Sequence, residues 1–99
     1  MLLLSRFKIS GHSMEPTLLH GQTILVSNIS YLFSKPKIND IVALRERKSG
    51  IVFIKRIVKV DGEKYFVSGD NKKDSMDSKD FGWIEKGEIV GKVLFKLKV

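Results

Sequence analysis

Alternation of apolar and polar residues with a period of two is what most constrains this chain. It is clearest at Glu88–Val99, where Ile89, Val93, Phe95, Leu97 and Val99 alternate with Glu88, Lys92, Lys96 and Lys98. Side chains of a strand point to opposite faces in turn, so such a segment buries one face and wets the other. That is the pattern of an antiparallel sheet with one solvated side. Five further segments read as strands: Phe7–Ser10, Gln22–Ser27, Asp40–Arg45, Gly50–Val60 and Lys64–Ser68. Arg47-Lys48-Ser49-Gly50 reads as a hairpin turn between the third and fourth of these, and Asp61-Gly62 as a second, tighter one. Tyr31–Ile38, with Pro36 and two lysines, reads as an irregular surface connection, and the polar, aperiodic Lys72–Asp80 as a loop. The expected fold is all-β: folded-over antiparallel sheets or a partial barrel, with little helix.

Residues 1–99 make one domain, with a modest core from a chain that is 42% hydrophobic. The absence of cysteine removes disulfides, thiol catalysis and thiolate metal sites together. His12 and His20 lack the spacing of a metal motif, so no metal and no cofactor is expected. The formal charge of +7 favours anionic partners, either nucleic acid or an acidic membrane surface, or simply reflects a well-solvated lysine-rich exterior. A membrane span needs roughly 20 apolar residues in a row. The longest runs here are Met1–Leu4, Ile41–Leu44 and Ile51–Ile54, and Arg6 and Lys8 follow the first too closely for a secretory signal. The expected location is peripheral on a membrane, or cytoplasmic.

Three segments carry chemistry. In Ser10-Gly11-His12-Ser13-Met14-Glu15-Pro16-Thr17-Leu18, Gly11 permits a tight turn that brings backbone N–H groups near a reacting carbonyl. Pro16 disfavours a regular helix through Ser13–Thr17 and restricts Glu15 to extended conformations, leaving the serine on an exposed corner. In Gly50–Val58 the strand pattern sets Lys55 on the face of Ile51, Phe53 and Ile57. An amine among apolar side chains loses hydration, which favours its neutral form. A neutral lysine can take a serine proton, whereas Arg56 never deprotonates. Each segment also has an ordinary reading, as a loop serine or as a strand lysine that snorkels to water. In the third, Gly69-Asp70-Asn71 followed by residues 72–82, the spacing of Asp70, Asp74, Asp77 and Asp80 does not match a calcium loop. It reads as a turn and a structural loop whose small polar residues could reach back to Ser13 and Lys55.

Ser-Met-Glu-Pro-Thr-Leu, then a hydrophobic strand ending Ile-Lys-Arg, then Gly-Asp-Asn with Ser-x-Asp-Ser-Lys and Phe-Gly, resembles the ordered signature of type I signal peptidases. The resemblance covers most of residues 10–93 and implies a serine endopeptidase with Ser13 as nucleophile and Lys55 as general base. Ser75 matches the serine that orients the lysine. Asp77 and Lys79 match an acidic–basic pair bracing the active-site loop, although arginine is more usual at the second position. Asp70 and Asn71 belong to a turn with a structural role. Some members carry a serine where Gly11 stands and use its hydroxyl in the oxyanion hole; here backbone N–H groups, including that of Ser13, would serve. Met14 and Ile54, each adjacent to a member of the pair, are the candidate substrate contacts.

Many members also have an N-terminal membrane anchor and a large insertion between the lysine strand and the Gly-Asp-Asn turn. Only Arg56–Ser68 separate Lys55 from Gly69, so the chain resembles a minimal catalytic core. The implied substrate is a precursor protein cut after small residues, as in Ala-x-Ala, to release a signal peptide or propeptide. Alternatives are a dedicated maturation protease for one soluble precursor, of the nickel superoxide dismutase type, and a self-cleaving repressor-like protease. A basic nucleic-acid-binding β-domain is the alternative outside enzymes. Tyr65-Phe66 and Phe95 are few aromatics for it, and nucleic acid is not the expected partner.

Overall fold

Ile41–Leu44 is an unbroken apolar run, which suits a strand covered on both faces. The computed structural model of the chain describes residues 3–73 and 82–97 and places this run at the centre of a sheet. The strands are β1 (Leu4–Lys8), β2 (Thr23–Ser27), β3 (Ile41–Arg45), β4 (Val52–Asp61), β5 (Lys64–Ser68), β6 (Ile84–Glu85) and β7 (Ile89–Leu97). One helical turn, α1 (Ser30–Phe33), follows β2, and a 3-10 turn (Lys86–Glu88) precedes β7. Every pairing is antiparallel, in one open sheet of order β1-β2-β7-β3-β4-β5-β6. The all-β antiparallel class is as expected. Among the described residues no helix is long and apolar enough to cross a membrane.

The two faces of β3 feed two cores. Val42 and Leu44 pack with Ile57, Tyr65, Val67, Ile84 and Tyr31, while Ala43 packs on the other side with Ile24, Val26, Ile9, Met14 and Leu18. Fully buried aliphatic side chains such as Leu44, Ile57 and Val67 each contribute about 1.5–3 kcal/mol through removal of apolar surface from water. Three strands separate β1 from β4 in the sheet order, yet the end of β1 and the start of β4 line one cleft. The sheet is therefore curled, and the cleft lies where its two limbs approach.

Both hairpin turns form near the expected residues. Glu46 N–H donates to the Ile51 carbonyl at 2.9 Å and Gly50 N–H to the Glu46 carbonyl at 2.8 Å. Between β4 and β5, the pairing of Asp61 with Lys64 leaves Gly62 and Glu63 as a two-residue loop, with Gly62 at φ +62°. The turn thus falls one residue later than the Asp61-Gly62 pair suggests.

Three expectations need correction. The first strand is Leu4–Lys8, not Phe7–Ser10, because its ladder with β2 runs from Leu4 opposite Ser27 to Lys8 opposite Thr23. Phe95, expected on a buried face, is 54% exposed. A register shift opposite Leu25 and Val26 pairs Val93 with Val26 but Phe95 with Leu25, so the extra residue Leu94 moves Phe95 to the other side. Part of the irregular Tyr31–Ile38 segment is the turn α1, anchored by buried Tyr31, whose hydroxyl donates to Asp40 Oδ2 at 2.7 Å.

Candidate active site

The loop from Ile9 to Gln22 that carries Ser13 is pinned at its neck and its tip. Ile9 N–H donates to the Gln22 carbonyl at 2.7 Å, and Gly21 N–H to the Ile9 carbonyl at 2.8 Å. Inside the neck, Met14 (1% exposed) and Leu18 (4% exposed) drive into the core, and Leu18 N–H closes a single turn onto the Met14 carbonyl at 2.9 Å. Pro16, whose bond to Glu15 is cis, stands inside that turn, which goes no further as helix. Gly11, at φ +89°, takes a conformation that side-chain-bearing residues rarely adopt. The Ser13 corner thus follows from two apolar anchors, a proline and a glycine.

The Gly69-Asp70-Asn71 turn grips this loop from the far side. Asn71 N–H donates to the Ser13 carbonyl at 2.8 Å, and Asn71 Nδ2 to the His12 carbonyl at 3.0 Å. Asp70 accepts the Thr17 hydroxyl at 2.6 Å and both ends of the Arg56 guanidinium, from Nε at 2.9 Å and Nη2 at 2.8 Å. Arg56 Nη1 also donates to the Asn39 carbonyl at 3.0 Å. These hydrogen bonds from Arg56, helped by the Thr17 hydroxyl, hold the Asp70 carboxyl below its ordinary range despite partial desolvation. The same pair pushes the Arg56 guanidinium upward. Pairing of Arg56 with Ser68 across β4 and β5 brings the turn alongside.

Lys55, directly before Arg56, is 2% exposed. It lies opposite Val42 of β3, on the face of Phe53 and Ile57, and its Nζ stands 5.9 Å from the centre of the Phe53 ring. Ile51, expected on this face, precedes the strand and is exposed. Ser13 and Met14 line a cleft of about 100 Å³ with Phe7, Lys8, Ile9 and Ser10 on one side and Val52, Phe53 and Ile54 on the other. The cleft therefore brings together Ser13, Met14, Ile54 and the strand leading to Lys55. Ser75, Asp77 and Lys79 lie outside the described residues. No cluster of three metal-ligating side chains occurs among the described residues.

Sequence reasoning missed Thr17 and gave Arg56 no role beyond its failure as a base. The signal was an unexplained acid, Asp70, and an unexplained base, Arg56; only the β4–β5 register reveals that they meet.

The family described as signal peptidase, peptidase S26, matches this chain over residues 1–64 and 58–98. Probable signal peptidase I-1 of Synechocystis sp. is 26% identical over 133 aligned positions, covering 89% of this chain and 68% of that protein. Mitochondrial inner membrane protease subunit 1 of Homo sapiens is 30% identical over 111 positions, covering 89% of this chain and 66% of that protein. Signal peptidase IB of Staphylococcus aureus is 24% identical over 149 positions, covering 95% and 78% respectively. Each alignment is longer than the 99 residues of this chain, so these relatives carry additional residues within the matched region. With the family matched along nearly the whole length, the Ser13 loop and the strand of Lys55 meeting at one cleft and the Gly69-Asp70-Asn71 turn holding that loop, the chain belongs to the signal peptidase S26 family of peptidases.

Proposed function

We propose that this domain is a serine endopeptidase that removes a signal peptide or propeptide, with Ser13 as nucleophile and Lys55 as general base. The observation that carries this reading is Lys55, an amine 2% exposed on an apolar strand face, beside the cleft that Ser13 lines. Burial of this kind disfavours an ammonium ion, and a neutral amine accepts a serine proton. Arg56 does not compete, because a guanidinium stays protonated and this one is held by Asp70.

In the first half-reaction Ser13 Oγ attacks the scissile carbonyl carbon while its proton passes to Lys55 Nζ. Backbone N–H groups, that of Ser13 included, stabilise the oxyanion. Collapse of this intermediate breaks the C–N bond, and Lys55 returns the proton to the leaving amine. Water, deprotonated by Lys55, then hydrolyses the acyl-enzyme and restores Ser13. Ser75 orients the lysine, and Asp77 with Lys79 braces its loop. Asp70 and Asn71 hold the nucleophile loop against β4. The chemistry needs no metal or organic cofactor.

The substrate enters as an extended strand between the end of β1 and the start of β4, with alternate side chains entering the cleft. A space of about 100 Å³ walled by Met14 and Ile54 suits small residues before the cut. A charge of +7 supports peripheral contact with an acidic membrane.

Cleavage of a peptide library by wild type, Ser13→Ala and Lys55→Ala tests the reading. Wild type is expected to cut after small residues, with a rate that rises toward alkaline pH as Lys55 loses its proton. Cleavage that persists in both variants would sink the proposal.

A further inference from the structure

We propose that His20 is a positioning residue for the nucleophile turn: its neutral imidazole accepts the Gly11 N–H and holds that glycine two residues ahead of Ser13. Gly11 N–H donates to His20 Nδ1 at 2.9 Å. An imidazole nitrogen accepts only while it carries no proton, so Nδ1 is the bare nitrogen here and Nε2 bears the hydrogen. Gly11 stands at φ +89°, on the left-handed side of the map, and its N–H is directed to the imidazole. A Cβ built at Gly11 meets nothing within 4 Å, so at this residue the hydrogen bond to His20 adds to the hold that Met14 and Leu18 give further along the loop.

His20 is itself held. It sits in a turn where Leu19 N–H donates to Gln22 Oε1 at 2.8 Å and Gln22 N–H returns to the Leu19 carbonyl at 3.1 Å. The next residue, Gly21, is tied to Ile9 at the loop neck. The bond from Gly11 to His20 is thus a second rung above the neck, closing the loop nearer to Ser13. Beside His20 the titratable groups are His12, whose ring lies 5.5 Å away at a 33° tilt, and Glu15, 2.6 Å from His12 Nδ1. Because the Gly11 N–H points to the imidazole, it does not serve the oxyanion, and that role passes to N–H groups further along, beginning at Ser13.

Removal of the Nδ1 acceptor opens the rung, and the turn ahead of Ser13 loosens without any change in Lys55. Its consequence for the rate rests on the peptidase reading above; the rung itself does not. The test compares wild type with His20→Asn, whose side-chain oxygen is a replacement acceptor, and with His20→Ala, which has none. Two measurements are made on each: hydrogen exchange of the Gly11 amide by NMR, and kcat and KM on a cleaved peptide.

Gly11 should be protected in wild type and in His20→Asn, and unprotected in His20→Ala. Loss of one positioning hydrogen bond predicts a kcat about three- to tenfold lower in His20→Ala, restored toward wild type in His20→Asn, with KM little changed. Equal Gly11 exchange in wild type and His20→Ala would overturn the proposal, as would an unchanged kcat in His20→Ala. If wild type cleaves no peptide, the peptidase reading fails, and Gly11 exchange alone decides the part played by His20.

Discussion

Asp70 is the residue on which the Ser13 loop and β4 both hang, since it binds Thr17 on one and Arg56 on the other. Asp70→Asn keeps its shape but removes the charge, and should destabilise the fold by about 1–2 kcal/mol at neutral pH, read by urea denaturation. The sign of its pH dependence follows from the lowered carboxyl. The contribution is full above the ordinary carboxylate pKa of about 3.9, and is lost as pH falls through the depressed folded value. The stability gap between wild type and Asp70→Asn should therefore be constant from neutral pH down to the ordinary carboxylate range and close below it. A gap that widens in acid would contradict the pairing. For Lys55, buried as it is, the proposed chemistry predicts that Lys55→Met remains folded while losing activity. A destabilised Lys55→Met would assign the lysine a structural task instead.

At the scale of elements, the central strands were legible because their signal is local. The Ile41–Leu44 run and the Lys64–Ser68 alternation each carry their own burial pattern, and the glycines at Gly50 and Gly62 mark the turns. What local pattern cannot carry is register. Phe95 left the expected face because one residue, Leu94, is extra to the β2–β7 ladder, and the short β6 exists only through its pairing with β5. Gly91 illustrates the same dependence on a partner strand. A Cβ there would stand 2.3 Å from the Ser27 carbonyl oxygen and 2.7 Å from Val26 Cγ1. Gly91→Ala should thus spread β7 from β2 and lower stability by about 2–4 kcal/mol; a thermal midpoint equal to wild type would show that the strands are not packed so closely.

For the whole molecule, the curl of the sheet is what turns separate segments into a site. Ser13 and Lys55 each have ordinary local readings, and it was the order of three segments along the chain that singled them out. The grip of Asn71 and Asp70 on the Ser13 loop was not legible, because it joins residues more than fifty positions apart through the β4–β5 register. The charge of +7 acts at this scale too. Sedimentation with acidic liposomes should be strong at low salt and lost at high salt, as screening shortens the reach of surface charge; no binding at low salt would remove the membrane from the account. The central claim is that Ser13 and Lys55 act as one unit. Its most direct test is the cleavage rate of Ser13→Ala, Lys55→Met and the double variant, each confirmed folded. Each single variant should lose at least about a thousandfold, and the double should lose no more than either, as for groups that work together. A wild-type rate in either single variant, or losses that multiply in the double, would contradict the account.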